Sequence, residues 1–288
     1  MFAHVATVRI AAAAVLAALC LPAADALAQS RLDRRDKVLG WEAVGRLDTG
    51  GGYCTGVLIA SDLVLTAAHC VFDPAARAIP EGQMTFRAGY HDGTAIATRR
   101  IARLVVDSSY VPTPGGLLPS GNIPHDLALL QLDAPISTTD ADPFALAAGP
   151  ITNTPLTLVS YGRGRSEALT WERDCALTGR YAQGILGFDC DVTFGSSGAP
   201  VFVRQGQRHR IMSVVSGMSR DPGQPEAYGM TLPDRVAQLK SALRTSAARP
   251  GGSPGARRIQ VGTATQPAIR RIGVGERTTG ARFVKPGG

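Results

Sequence analysis

Between residues 38 and 232 the chain is broken into short β-branched or apolar runs, separated by Gly, Pro, Asp and Ser. The clearest are Val57-Leu58-Ile59, Leu63-Val64-Leu65, Met84-Thr85-Phe86-Arg87, Val201-Phe202-Val203, and residues 101–106, 127–132, 156–159 and 211–215. A half-buried strand alternates its side chains with period two, and turn residues close it after a few positions. No helical pattern interleaves with these runs, which argues against a parallel βαβ sheet and for an all-β barrel or sandwich. Two stretches read otherwise. One is the turn around Ala67-Ala68-His69. The other covers residues 234–243, where Val236, Leu239 and Leu243 fall at helical spacing behind Pro233.

The two ends of the chain read differently from this middle. Arg9 precedes an Ala- and Leu-rich run over residues 10–21, and Ala26-Leu27-Ala28 supplies small residues for cleavage. Residues 1–28 are therefore expected to be a signal peptide, too short in its apolar part to span a bilayer. Residues 29–37 read as a short polar segment or propeptide. From residue 246 to 288 the composition turns to Gly, Pro, Thr and Arg, with eight basic residues and one acid. The other 22 Lys and Arg are matched by 22 Asp and Glu, so the whole formal charge of +7 belongs to that tail. A disordered basic tail is expected there, attracted to anionic surfaces and taking no part in the chemistry of the 38–245 domain.

Cysteine usage agrees with export to a periplasmic or extracellular space. Cys20 lies in the leader, leaving Cys54, Cys70, Cys175 and Cys190, an even number with three formal pairings. They lack the close CxxC pairs of zinc sites.

The chemistry is concentrated in three strings. Gly195-Ser196-Ser197-Gly198-Ala199-Pro200 places a serine between glycines, which permit a sharp turn and free N–H groups to face a developing oxyanion. A serine hydroxyl is a poor nucleophile unless an imidazole takes its proton, and Thr66-Ala67-Ala68-His69-Cys70 offers one. Between them, His125-Asp126 heads an apolar run and offers a carboxylate to orient that imidazole. His125 is expected to point to the opposite face, and His91 and His209 to be solvated in loops.

Together these strings resemble the chymotrypsin/trypsin superfamily, and most closely its bacterial branch that includes the V8-like glutamyl endopeptidases. The resemblance runs from about Trp41 to Leu243. It is strongest from Cys54-Thr55-Gly56-Val57-Leu58-Ile59 to His69-Cys70, and extends to Ser160-Tyr161-Gly162 and a terminal helix. It implies two six-stranded antiparallel β-barrels with a C-terminal helix, and disulfides Cys54–Cys70 and Cys175–Cys190. It also implies a secreted, monomeric serine endopeptidase acting on proteins or peptides, with no metal or cofactor. Ser197 would be the nucleophile, His69 the general base and acid, and Asp126 the orienting carboxylate; Gly195 and Ser197 would supply the oxyanion hole.

Two residues depart from the family pattern. Ser196 stands where trypsin-like zymogens place an Asp that pairs with a new N-terminal ammonium, so activation by N-terminal insertion is not expected. Ala199 stands where glycine is usual. These two changes motivate the alternative of a catalytically silent binding module on the same scaffold. For the substrate pocket, Asp191 sits where trypsins bind Arg or Lys at P1. The same Cys190-Asp191 pair also serves structure in bacterial members without basic specificity. Glutamyl specificity calls for a polar, often His-containing pocket, and residues 211–219 hold no histidine. Ser216 and Gly217 are the expected wall of that pocket.

Overall fold

The computed structural model describes residues 30–32, 35–151, 154–219, 225–247 and 281–282. The expected signal peptide lies outside them, as does the tail apart from residues 246, 247, 281 and 282. Strand β1 (Ser30–Arg31) and the single turn α1 (Arg35–Val38) lead into β2 (Val44–Asp48), β3 (Tyr53–Ala60), β4 (Leu63–Thr66), β5 (Thr85–Ala88) and β6 (Ala97–Val106). A two-residue strand, β7 (Leu117–Leu118), precedes β8 (Ala128–Leu132). The second half holds β9 (Leu156–Ser160), β10 (Thr170–Cys175), β11 (Leu177–Arg180), β12 (Ile185–Phe188), β13 (Pro200–Gln205), β14 (Arg208–Met218) and β15 (Ala227–Met230). Helix α2 (Pro233–Ala247) follows, and β16 (Ala281–Arg282) pairs back onto β7.

The first half closes into a barrel in the order β2-β3-β4-β8-β6-β5. The second half forms one curled eight-stranded sheet, β1-β10-β9-β13-β14-β15-β12-β11, whose ends do not pair with each other among the described residues. The fold is thus chymotrypsin-like, with a closed barrel beside a half-barrel.

Period-two alternation explains how the two halves meet. Leu58, Val64 and Leu130 point into the first barrel's core with Phe86 and Met84, while their neighbours Val57, Leu65 and Leu129 enter the cluster between the halves. There they meet Val159, Tyr161, Phe202 and Val214 from the second half. The strands flanking this seam are buried on both faces, so they read as nearly continuous apolar runs. Helix α2 closes the seam with Val236, Leu239 and Leu243. Its end runs past the predicted 243 because Arg103 reaches across from β6 to donate to the Leu243 carbonyl and to Ser246 Oγ, satisfying groups that a helix terminus leaves orphaned.

The N-terminal segment is more integrated than its polar sequence predicts. Ser30 and Arg31 pair with Trp171 and Thr170 of β10, and Leu32 is 1% exposed within the seam cluster. Packed chain therefore begins before residue 38. His209, expected in a solvated loop, instead lies half-buried on β14 with its ring 4.7 Å from that of Trp41.

Candidate functional site

The turn that carries His69 is shaped by small residues and a disulfide. Ala67 and Ala68 are fully buried, which lets a 3-10 turn over Ala68–Val71 pack tightly behind β4. Cys70 is bonded to Cys54 on β3, with Cα atoms 6.2 Å apart, and this link fixes the turn to the barrel. The second disulfide joins Cys175 to Cys190, Cα atoms 5.1 Å apart. His69 and the sulfurs of Cys54 and Cys70 lie within 4.8 Å of one another, but both sulfurs are consumed by the disulfide and are not thiolate ligands.

Asp126 is fully buried at the end of a 3-10 stretch, Ser120–His125, that delivers it beneath His69. Its Oδ1 accepts the His69 backbone N–H at 2.8 Å, and its Oδ2 lies 2.8 Å from His69 Nδ1. Oδ2 also accepts the Ser216 hydroxyl at 2.6 Å. A buried carboxylate is costly unless hydrogen bonds surround it, and these three contacts supply that satisfaction. The arrangement holds the imidazole with Nδ1 toward the carboxylate and Nε2 away from it. Tyr110, packed against Ala68, has its phenol pushed well above the usual range by burial and by the Asp126 charge, so it stays neutral. His125 turns aside from this group, with Nδ1 3.3 Å from Asp107 and 3.1 Å from Arg235 on α2.

Ser197 sits on a turn clamped onto the first barrel. Thr55 on β3 donates its N–H to the Ser197 carbonyl and its hydroxyl to the Gly195 carbonyl, both at 2.8 Å. Gly198 has φ +77°, and a Cβ there would lie 2.1 Å from Thr66 Oγ1 and 3.0 Å from the Ala67 nitrogen. Only glycine permits that approach, which sets Ser197 beside the chain that leads into His69. Gly195 is similarly tight: at φ +89°, an added Cβ would meet the Tyr161 carbonyl and the Tyr53 ring at 2.3 Å.

The N–H groups of Ser196, Gly198 and Ala199 donate inward, to Thr193, Val215 and Ser196. Those of Gly195 and Ser197 meet no backbone carbonyl among the described residues. Ser196 is fully buried, its hydroxyl 3.2 Å from that of Ser160 and accepting the Thr193 N–H. Ala199 is also fully buried, its methyl in the second half's core rather than against the turn.

The expected pocket residues do not share one environment. Ser216 is buried and directed at Asp126, not at an open wall. Gly217 pairs with Tyr228 of β15. The Asp191 side chain is 57% exposed and lies 3.3 Å from Arg165 Nη1, while its backbone N–H donates to the buried Glu172. Sequence reasoning missed Thr55, Arg165 and Glu172. Thr55 lay inside a motif that was read, but only its contacts across the seam reveal its task.

A family model for the trypsin-like peptidase domain matches residues 54–208, which hold His69, Asp126 and Ser197. The chain belongs to the trypsin-like peptidase family. The glutamyl endopeptidase of Bacillus licheniformis is 26% identical over 171 residues, covering 58% of this chain and 51% of that protein. The modular serine protease of Drosophila melanogaster is 39% identical over 89 residues, 28% of this chain and 13% of that one. The chain thus spans about half the length, or less, of these curated relatives. A structure of Glu endopeptidase in complex with MPD superposes with a TM-score of 0.61 at 21% identity, covering 75% of this chain and 96% of that chain. The protease Anisep from Arthrobacter nicotinovorans gives 0.58 at 16% identity, covering 74% and 97%. Likeness at these identities speaks for the fold.

Proposed function

We propose that this chain is an exported serine endopeptidase that hydrolyses peptide bonds through an acyl-enzyme. The contact between His69 Nδ1 and Asp126 Oδ2, at the end of a fully buried carboxylate, carries the reading. Asp126 fixes the tautomer in which Nε2 carries the lone pair that takes the Ser197 proton, and its charge stabilises the imidazolium that results. Ser197 Oγ then attacks the scissile carbonyl. The Phe194 carbonyl is held by the Arg163 N–H, which turns the Gly195 N–H of the same peptide the other way, to receive the oxyanion with that of Ser197. His69 returns the proton to the leaving amine, and water repeats the sequence to release the acid. Two disulfides suit an oxidising compartment, and the leader suits export. No described helix is long and apolar enough to cross a membrane.

Fluorophosphonate labelling and casein turnover test the proposal. The mature chain should label, and Ser197→Ala should lose both labelling and turnover. Asp126→Asn should keep the fold and lose about 10⁴-fold in kcat, by analogy with the equivalent change in other triads. A folded, unlabelled wild-type chain without turnover would return the reading to a silent binding module.

A further inference from the structure

One flank of the nucleophile turn is aromatic and cationic, and proton transfer makes no use of it. His69 Nε2, the atom that returns a proton to the leaving amine in the proteolytic reading, lies 3.8 Å from Cys70 Sγ. The leaving half of a substrate therefore departs past the Cys54–Cys70 disulfide. Tyr53 precedes Cys54 on β3, and its ring closes against Gly195, the donor expected in the oxyanion hole. Phe194 precedes Gly195, and both rings are only partly buried. The opposite flank of the turn is occupied by β14. There the Gly198 N–H donates to the Val215 carbonyl, and the Val215 N–H to the Ala199 carbonyl.

Arg163 is tied to the aromatic flank twice. Its N–H donates to the Phe194 carbonyl at 2.6 Å, and its guanidinium carbon stands 4.1 Å from the Phe194 ring centroid. Burial holds the Tyr53 phenol above its ordinary pKa, and the charges of Arg46 and Arg163 are felt there as well. The other cations nearby are each paired with a carboxylate: Arg46 with Asp48 and Glu167, Arg87 with Asp48, and Arg165 with Asp191. Arg163 is exposed and, among the described residues, has no carboxylate within ion-pair distance. A guanidinium held over a ring is positioned without using its N–H donors, whose planar fork matches a carboxylate.

We propose that Arg163, seated on Phe194 beside Tyr53, is a specificity-determining residue that selects peptides with an Asp or Glu side chain at the first or second residue after the cut bond. Phe194 adjoins Gly195, so the guanidinium stands within one or two residues' advance of an extended peptide, about 3.3 Å each. The selection rests on the proteolytic reading; the attraction of a carboxylate to this flank does not.

The test uses the full mature chain, its Arg163→Gln and Arg163→Glu variants, and a mixed peptide library with amidated C-termini, cut positions being read by mass spectrometry. Wild type should enrich Asp and Glu several-fold at the first or second residue after the cut, and less so as salt is raised. Arg163→Gln should lose the enrichment, and Arg163→Glu should replace it with Lys and Arg. Comparing residues within each chain's own profile cancels any change in overall turnover. One profile common to all three chains overturns the proposal. A second library with free C-termini separates a side-chain carboxylate from a terminal one, and enrichment confined to cuts beside the free end would overturn the side-chain assignment. Fluorescent peptides with Glu or Lys at alternate positions are also titrated against the folded chains, read by anisotropy. Tighter binding of the Glu peptide to wild type than to Arg163→Gln, with no cleavage by any chain, would count against the protease reading and leave the carboxylate site standing. Equal binding to the two chains overturns that site.

Discussion

Thr55 and Gly195 lie 140 residues apart and are joined by one hydrogen bond, the threonine hydroxyl donating to the glycine carbonyl at 2.8 Å. That same hydroxyl oxygen accepts the Tyr161 N–H, and the Thr55 carbonyl accepts the Thr66 hydroxyl. A side chain with no part in proton transfer thus decides which way the Gly195–Ser196 peptide faces. The Gly195 carbonyl shares its peptide with the Ser196 N–H, which donates inward to Thr193, so the bond fixes the link between the Gly195 and Ser197 N–H groups.

Replacing Thr55 by Val keeps the shape and deletes the hydroxyl. It strands a buried carbonyl and a buried N–H, at about 1–3 kcal/mol for each unsatisfied group. The expected outcome is a lower melting temperature together with a fall in kcat greater than any change in KM, since the oxyanion donors act mainly in the transition state. Thr55→Ser should recover both. A Val variant with lowered stability and unchanged kcat would show that the bond holds the seam without orienting Gly195.

His209 supplies a pH dependence of stability. Burial, then the charges of Arg204 and Arg173, holds its imidazole pKa below the ordinary 6.5. The unfolded chain therefore takes up this proton first as pH falls. The contribution is complete above about pH 6.5, the unfolded value, and is lost as pH drops from there through the lower folded value. His209→Phe keeps a ring against Trp41 and removes the titration. The difference in melting temperature, wild type minus variant, should shrink steadily on acidification below pH 6.5. A difference that stays constant would place the His209 titration outside the folding equilibrium.

What the sequence makes legible follows from how each residue is constrained. β3, β4, β8 and β13 show as apolar runs because the seam buries both their faces, and the helix shows because Val236, Leu239 and Leu243 share one side. β10 does not show, since Thr170–Cys175 mixes Trp171 with Glu172, Arg173 and Asp174. Its Glu172 is buried, with Oε2 accepting the Asp191 N–H from 19 residues on. β15 is hidden for another reason, being four short buried residues, Ala227–Met230, with no alternation to read. In the site, His69, Asp126 and Ser197 stand out as motifs. The roles of Thr55 and Ser216 are set by partners across the seam, and no local pattern encodes them.

Leu32 is packed into the domain ahead of the boundary expected at residue 38. Its side chain is 1% exposed, and the Leu32 N–H donates to the Leu169 carbonyl beside the β1–β10 pair. Leu32→Ala should cost about 2–4 kcal/mol, the range for a buried leucine whose cavity only partly collapses. A chain starting at Lys37 should lose at least as much. Residues 30–32 lie along β10, and Ser196 is already satisfied by Ser160 and Thr193, so no new N-terminus is needed at the nucleophile turn. At temperatures where the shortened chain remains folded, its kcat should match that of chains starting at Gln29. Activity that depends on one particular N-terminal residue would revive an insertion mechanism.

Arg165 bears on which peptides are cut. It lies 3.3 Å from Asp191, so the pair presents little net charge to a substrate cation. Arg and Lys at P1 would have to compete with Arg165 for the one carboxylate, and competition between like charges disfavours both. The wild-type chain is therefore expected to show no preference for basic P1 residues in a mixed peptide library. Arg165→Gln frees the carboxylate and should raise cleavage after Arg or Lys several-fold relative to other residues, an effect that weakens with added salt because Asp191 is half exposed. Asp191→Asn on the Gln background should abolish the gain. Should the library profile of Arg165→Gln match the wild type, Asp191 lies outside the P1 pocket and its place is structural, tied to Glu172 through its backbone.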